Sequence, residues 1–253
     1  MNKVVASGEV LKVYQTGDRP ILVLCSDGNH YICKYKQPGY SANKLTSELI
    51  GGTFARLWGI PTPQIALVAN DPIIWENSGI SHDTVAPLLG SLKMENVFDV
   101  SSFTCNQIKV SQRSLSQLLR IALFDLWIAN EDRTSNNYNL LFDLRLQNIV
   151  SIDYGGIFNS ATLGMPIYQL NESDSILSSD LFDRLKSAGF QYTYITFLGF
   201  VSKCKKATSE VLDMVPKEWG IDLKLFADKL NELFDVKWVM ETWETYNNLL
   251  NNA

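Results

Sequence analysis

Asn130-Glu131-Asp132-Arg133-Thr134-Ser135-Asn136-Asn137, with Ile152-Asp153-Tyr154-Gly155 after it, is the stretch that decides how this chain is read. Its chemistry runs carboxylate, amide, second carboxylate. Asn137 stands five positions after Asp132, and Asp153 sixteen after Asn137. Phosphoryl transfer from a nucleotide needs groups in that order. One carboxylate accepts the proton of an attacking hydroxyl, while an amide oxygen and a second carboxylate hold a hard divalent cation against the phosphates. Asp132 is therefore the expected catalytic base, and Asn137 and Asp153 are the expected magnesium ligands. Asn136 and Asn139 are the alternatives to Asn137 if the loop register shifts.

The flanks fit such a site. Beyond Ser114, a plausible cap, Leu115, Leu118, Leu119, Ala122 and Leu126 make residues up to about 128 apolar nearly all round, as in a helix buried at the centre of a lobe. Residues 138–142 and 148–152 read as two short strands. Asp132 then lies in the loop after the helix, and Asp153 ends the second strand. A carboxylate at the end of an apolar strand needs a partner, which a cation supplies. Gly155-Gly156 lets the backbone turn sharply afterwards.

Upstream, residues 10–15, 21–25 and 30–35 are predicted as an antiparallel meander, with 16–20 and 26–29 as its turns. Alternation along the third strand puts His30, Ile32, Lys34 and Lys36 on one face. Lys34 is expected to reach nucleotide phosphates and Ile32 to line the base pocket, with Lys36 as the other lysine on that face. A helix follows, capped by Ser41 or Asn43, striped by Ile50, Phe54 and Leu57, and ended by Gly59, Pro61 and Pro63. Glu48 on this helix is expected to pair with Lys34. Gly51-Gly52 costs the helix roughly 1 kcal/mol per glycine relative to alanine, which close approach of another element would explain. Arg133 is expected to neutralise phosphate charge or to anchor its loop. Residues 65–68 and 73–75 read as further strands, 88–95 as an inter-lobe hinge, and 16–20 as a loop over the phosphates. Helices are predicted near 179–188, 193–214, 222–234 and 236–250.

The pattern is that of an α+β, two-lobed fold: residues 1–253 as one domain, an N-lobe of about 1–95 with an antiparallel sheet and one helix, and a mainly helical C-lobe of about 96–253. At 253 residues the chain can bury a full core. A formal charge of −5 argues against a general nucleic-acid binder. Four cysteines without C-x-x-C spacing, and only two histidines, argue against a zinc site and for reduced thiols in a cytoplasmic protein. No apolar run reaches the roughly 18 residues of a membrane span, and the N-terminus lacks the apolar region of a signal peptide.

Five pieces together resemble the HipA-like kinases, and through them the wider protein-kinase-like fold that includes phosphatidylinositol kinases. They are Tyr31-Ile32-Cys33-Lys34, Glu48 in 45–52, Gly59-Ile60-Pro61-Thr62-Pro63, Asp132 to Asn137, and Ile152 to Gly155. The resemblance implies ATP and magnesium as cofactors. It makes the residue matching Asp132 the catalytic base, those matching Asn137 and Asp153 the magnesium ligands, and that matching Lys34 a contact to ATP phosphates. It also implies serine or threonine of a protein as acceptor. Several members are toxins of toxin–antitoxin systems, so an antitoxin or other regulator protein joins the expected partners. The chain departs from the family at Thr134, where relatives often carry histidine, and in lacking a multi-glycine phosphate loop. Two other activities would use the same residues: a nucleotide-binding scaffold that transfers nothing, and a kinase acting on small, including lipid-like, molecules.

Overall fold

The computed structural model describes residues 1–39, 41–76 and 78–252. Its first part is a six-stranded sheet of β1 (Asn2–Val5), β2 (Lys12–Val13), β3 (Ile21–Leu24), β4 (His30–Lys34), β5 (Ile65–Ala69) and β6 (Leu88–Leu92), in the order β1-β5-β6-β4-β3-β2. The predicted meander is β2, β3 and β4, although only Lys12–Val13 of its first run is ladder-paired. Every pairing is antiparallel except β1 with β5. Gly28 (φ 77°) takes the left-handed conformation required at the tight β3–β4 turn.

The strand expected at 73–75 is instead a 3-10 turn, Pro72–Trp75. Asp71 accepts the N–H of Ile73 at 3.0 Å and Pro72 opens the turn, so local capping overrides the apolar run. Capping differs from expectation at two helices. Ala42 precedes α1 (Asn43–Leu57), with Ser41 accepting the Asn43 N–H. Ser111, not Ser114, caps α2 (Gln112–Ile128) by accepting the Ser114 N–H at 3.1 Å.

A three-stranded sheet, β7 (Val97–Asp99), β8 (Leu140–Asp143) and β9 (Asn148–Ser151), floors the junction; β7 was too short to register in the sequence pattern. After it come a short element α3 (Ile157–Ala161), α4 (Asp180–Leu185), α5 (Tyr194–Asp213), α6 (Leu223–Leu233) and α7 (Val236–Asn252). Among the described residues no helix is long and apolar enough to cross a membrane.

The apolar interior divides into two cores. The smaller lies against the first sheet, with Ile21, Val23, Tyr31, Cys33, Val68 and Leu88. The larger joins α1 to the later helices: Leu49, Phe54 and Trp58 pack with Leu119, Phe124, Trp127, Phe197 and Tyr246. Trp58 stacks on Trp127 and on Phe200, with ring centroids 5.3 and 4.9 Å apart. Burying each such ring contributes about 2 kcal/mol or more. Helix α1 is thus fixed by the helical part of the molecule while its other side carries the sheet.

Candidate active site

A cleft of about 670 Å³ opens between the first sheet and the β7–β9 floor. Ile32, Lys34, Glu48, Asp132, Asn137 and Asp153 all line it. The period-two geometry of β4 sends Tyr31 and Cys33 into the sheet core and leaves Ile32 and Lys34 on the cleft side. Lys36 is diverted to Asp83 at 3.4 Å, so Lys34 is the lysine at the centre of the cleft.

Lys34 Nζ lies 2.9 Å from Glu48 Oε2 and 2.8 Å from Asp153 Oδ1. Glu48 is buried in the second turn of α1, where a helix-dipole role does not apply. The same Glu48 oxygen accepts the Tyr154 N–H at 2.9 Å, joining α1 to the segment that carries Asp153, which lies two residues beyond the end of β9 rather than at it. Burial alone would pull the lysine toward neutrality, but the two carboxylates outweigh it and hold Lys34 firmly charged. Burial pushes Glu48 up to about 7, against the opposing pull of Lys34. Asp153 goes the other way: its desolvation is overcome by Lys34 and the Gly155 N–H, and its carboxyl is held below the usual range. Asp153 also adopts φ 58°, a strained left-handed conformation for a non-glycine residue. Gly51, though not Gly52, has its explanation here. A Cβ on Gly51 would lie 2.5 Å from Tyr154 Cβ, so α1 can approach Tyr154 only as glycine.

Asp132 sits across the cleft, half-buried. Burial, and then the nearby Asp153, raise its carboxyl above the ordinary value, while Lys34, Lys44 and Arg133 oppose the rise. Asn137 and Asn139 both donate through Nδ2 to the Asp132 carbonyl at 2.9 Å, and both line the cleft. Each keeps its amide oxygen as the acceptor it can offer a cation. The backbone of Asn136 is bound to Thr134 Oγ1, and Asn136 is not part of the cleft wall.

Arg133 corrects the sequence-based expectation of a phosphate contact. Its side chain is fully buried, and the guanidinium bonds to Asp125 Oδ2 at 2.8 Å, Tyr138 O at 3.0 Å, Ile152 O at 3.1 Å and Asn139 O. It ties the 132–139 loop to α2 and to the strand before Asp153, the anchoring role also expected of it. Asp125 and Asn130 complete this support and were missed in the sequence. Asn130 donates to Asp125 Oδ1 at 2.8 Å and accepts the Asp132 N–H at 3.4 Å. The signal available was a lone carboxylate within the apolar run Leu123-Phe124-Asp125-Leu126-Trp127. Lys44 was also missed. It lines the cleft mouth and pairs with Asp18 at 3.2 Å, from the loop expected over the phosphates.

A family model for HipA-like kinases matches residues 8–248. The chain belongs to the HipA-like kinases. No curated protein sequence matches it. Among solved structures, this HipA-like kinase is similar to the Helicobacter pylori proinflammatory kinase CtkA, with a TM-score of 0.55 at 10% identity over 99% of both chains. It is also similar to the Golgi casein kinase, with a TM-score of 0.52 at 14% identity over 97% of this chain and 74% of that one. The same Golgi kinase with Mn and ADP bound gives 0.52 at 13% identity, over 98% and 73%. At these identities the likeness is one of fold, and the fold is protein-kinase-like.

Proposed function

We propose that this HipA-like kinase transfers the γ-phosphate of ATP to a serine or threonine hydroxyl of a protein, with Asp132 as general base. The observation that carries the proposal is Lys34 held between Glu48 and Asp153 at 2.9 and 2.8 Å, with Asp132 facing it across one cleft. A fixed ammonium there suits phosphate oxygens. Ile32 above, and Leu141, Ile152 and Met94 around it, supply apolar walls for a base beside β6.

The donor set fits magnesium. Asp153 and Asn137, with Asn139 as its neighbour, offer only oxygens, and magnesium commonly takes one or two protein oxygens beside substrate phosphates. Part of the rise at Asp132, after burial, comes from repulsion by Asp153, which a bound cation relieves. When bound, magnesium would neutralise charge on the β- and γ-phosphates. The chain's own residues do the rest. Asp132 takes the proton of the acceptor hydroxyl, whose oxygen forms the new bond to the γ-phosphorus. The bond to the β–γ bridging oxygen breaks, and that oxygen leaves with ADP. Positioning and charge neutralisation carry most of the rate.

A polypeptide acceptor is supported by the segment after Gly155. Residues 156–166 contain no charged side chain and run against the base: a Cβ on Gly156 would lie 2.6 Å from Asp132 Cβ. Four buried free thiols fit a reducing, cytoplasmic setting. The deciding experiment is incubation with γ-labelled ATP and magnesium, with protein and small-alcohol acceptors supplied side by side. Label on serine or threonine of protein supports the proposal. Label only on the small alcohol transfers the chain to metabolite kinases, and ATP binding without transfer makes it a scaffold.

A further inference from the structure

Glu131 directly precedes Asp132, yet it is not among the residues lining the cleft. Its carboxylate turns to the segment beyond Gly156. Oε2 accepts the Ser160 hydroxyl at 2.8 Å, and Oε1 accepts Asn159 Nδ2 at 3.3 Å and the Tyr168 hydroxyl. Asn159, itself buried, also bonds Tyr168 through both backbone groups, donating to its carbonyl at 3.2 Å and accepting its N–H at 2.9 Å. Two main-chain bonds run alongside: Glu131 N–H to Gly156 O at 3.3 Å and Asn159 N–H to Ala129 O at 2.9 Å.

The backbone held in this way is strained. Phe158, Asn159 and Ser160 are consecutive non-glycine residues at φ 55°, 50° and 59°. Such conformations persist only where surrounding bonds over-determine them. Glu131 is the side chain that takes hydrogen bonds from two of the three. At the far end, buried Lys229 donates to Met165 O and pairs with Glu232 at 2.7 Å, and Glu232 accepts the Ile167 N–H at 2.9 Å. Pinned at both ends, the segment presents the side chains of Met165 and Tyr168, 62% and 54% exposed, beside the base loop.

We propose that Glu131 is a positioning residue, which holds residues 157–168 against Asp132 as a preformed platform for the acceptor. This rests on the transfer reaction proposed above. The platform needs no modification or partner to order it, because its bonds are made within the chain.

The test compares wild type with Glu131→Ala and Glu131→Gln in three measurements: amide exchange across 157–168, the melting shift caused by ATP with magnesium, and kcat and KM for transfer. In the alanine variant, exchange in the segment should rise about tenfold or more as the turn opens locally. Its kcat should fall about tenfold or more through lost positioning, with KM for ATP and the nucleotide-induced shift unchanged. Glutamine keeps an acceptor oxygen for Tyr168 and Asn159 and offers an N–H to the Ser160 oxygen, so it should restore both to within about threefold. Wild-type exchange or wild-type kcat in the alanine variant overturns the inference, as does a glutamine variant no better than alanine. The exchange comparison requires no acceptor. A wild type that labels nothing therefore refutes the transfer reaction, while the exchange result still decides whether Glu131 holds the segment.

Discussion

Replacing Gly51 and Gly52 by alanine, one at a time, separates a steric demand from helix propensity. Both glycines lie inside α1, so both gain about 1 kcal/mol of helix propensity on becoming alanine. Gly52 has room: its Cβ would meet only Tyr154 Cδ2, at 3.8 Å. Gly51 has none. Its Cβ would meet Tyr154 Cβ at 2.5 Å, Tyr154 Cγ at 3.0 Å and Ile157 Cγ2 at 3.3 Å. The first of these atoms is bonded to the backbone, so no rotamer change removes it. Overpacking of this kind costs about 1–3 kcal/mol. The propensity gain cancels between the two variants, so Gly51→Ala should be less stable than Gly52→Ala by the clash alone, about 1–3 kcal/mol. In a chain of this size each kcal/mol moves Tm by about 2–4 °C. Urea unfolding with unchanged m-values measures the difference directly. Tyr154 adjoins Asp153, so the stabilisation by ATP and magnesium should also shrink in Gly51→Ala and persist in Gly52→Ala. Equal midpoints for the two variants would refute the packing account.

The site makes four more predictions. Arg133→Met leaves Asp125 buried and uncompensated, so it should destabilise the fold by about 3–5 kcal/mol in chemical denaturation, whereas a phosphate contact would have cost nucleotide affinity with little loss of stability. Asp153→Asn should abolish the magnesium-dependent melting shift on adding ATP, and an undiminished shift would remove Asp153 from the metal site. Asp132→Asn should keep ATP affinity within a few-fold while cutting transfer by about 10²-fold or more. In the wild type, the base works only when deprotonated. The raised Asp132 carboxyl therefore predicts that kcat falls as pH drops through a value above that of an ordinary aspartate; a profile flat down to pH about 4 would count against it.

The residues that sequence spacing placed in the cleft are those whose chemistry is local: a lysine on an alternating strand, a glutamate on the next helix, and a loop bracketed by an apolar helix and two strands. The strand period orients Lys34 and the helix orients Glu48, while Asp132, Asn137 and Asp153 reach them from loops that Asn130 and Arg133 hold in place. Arg133 was ambiguous because its meaning depends on Asp125, and Asp125 is hidden in a run whose average is apolar. The 3-10 turn at Pro72–Trp75 was misread because three apolar residues look like a strand until Asp71 is seen to cap them. The parallel pairing of β1 with β5 and the three-residue strand β7 depend on partners distant in sequence, and no local pattern announces them.

Helix α1 shares its core with the helical lobe, joined there by Leu67 and Leu89 of the first sheet, while that sheet has a second core of its own, so the two cores predict two units that open separately on warming. Their polar seam is the ion pair between Lys34 on one unit and Glu48 with Asp153 on the other. A nucleotide seated against Ile32 above and Ile152 below would touch both units at once. Its binding would then register as stitching: warming should release the sheet first, and saturating ATP should bring the two melting events together into one.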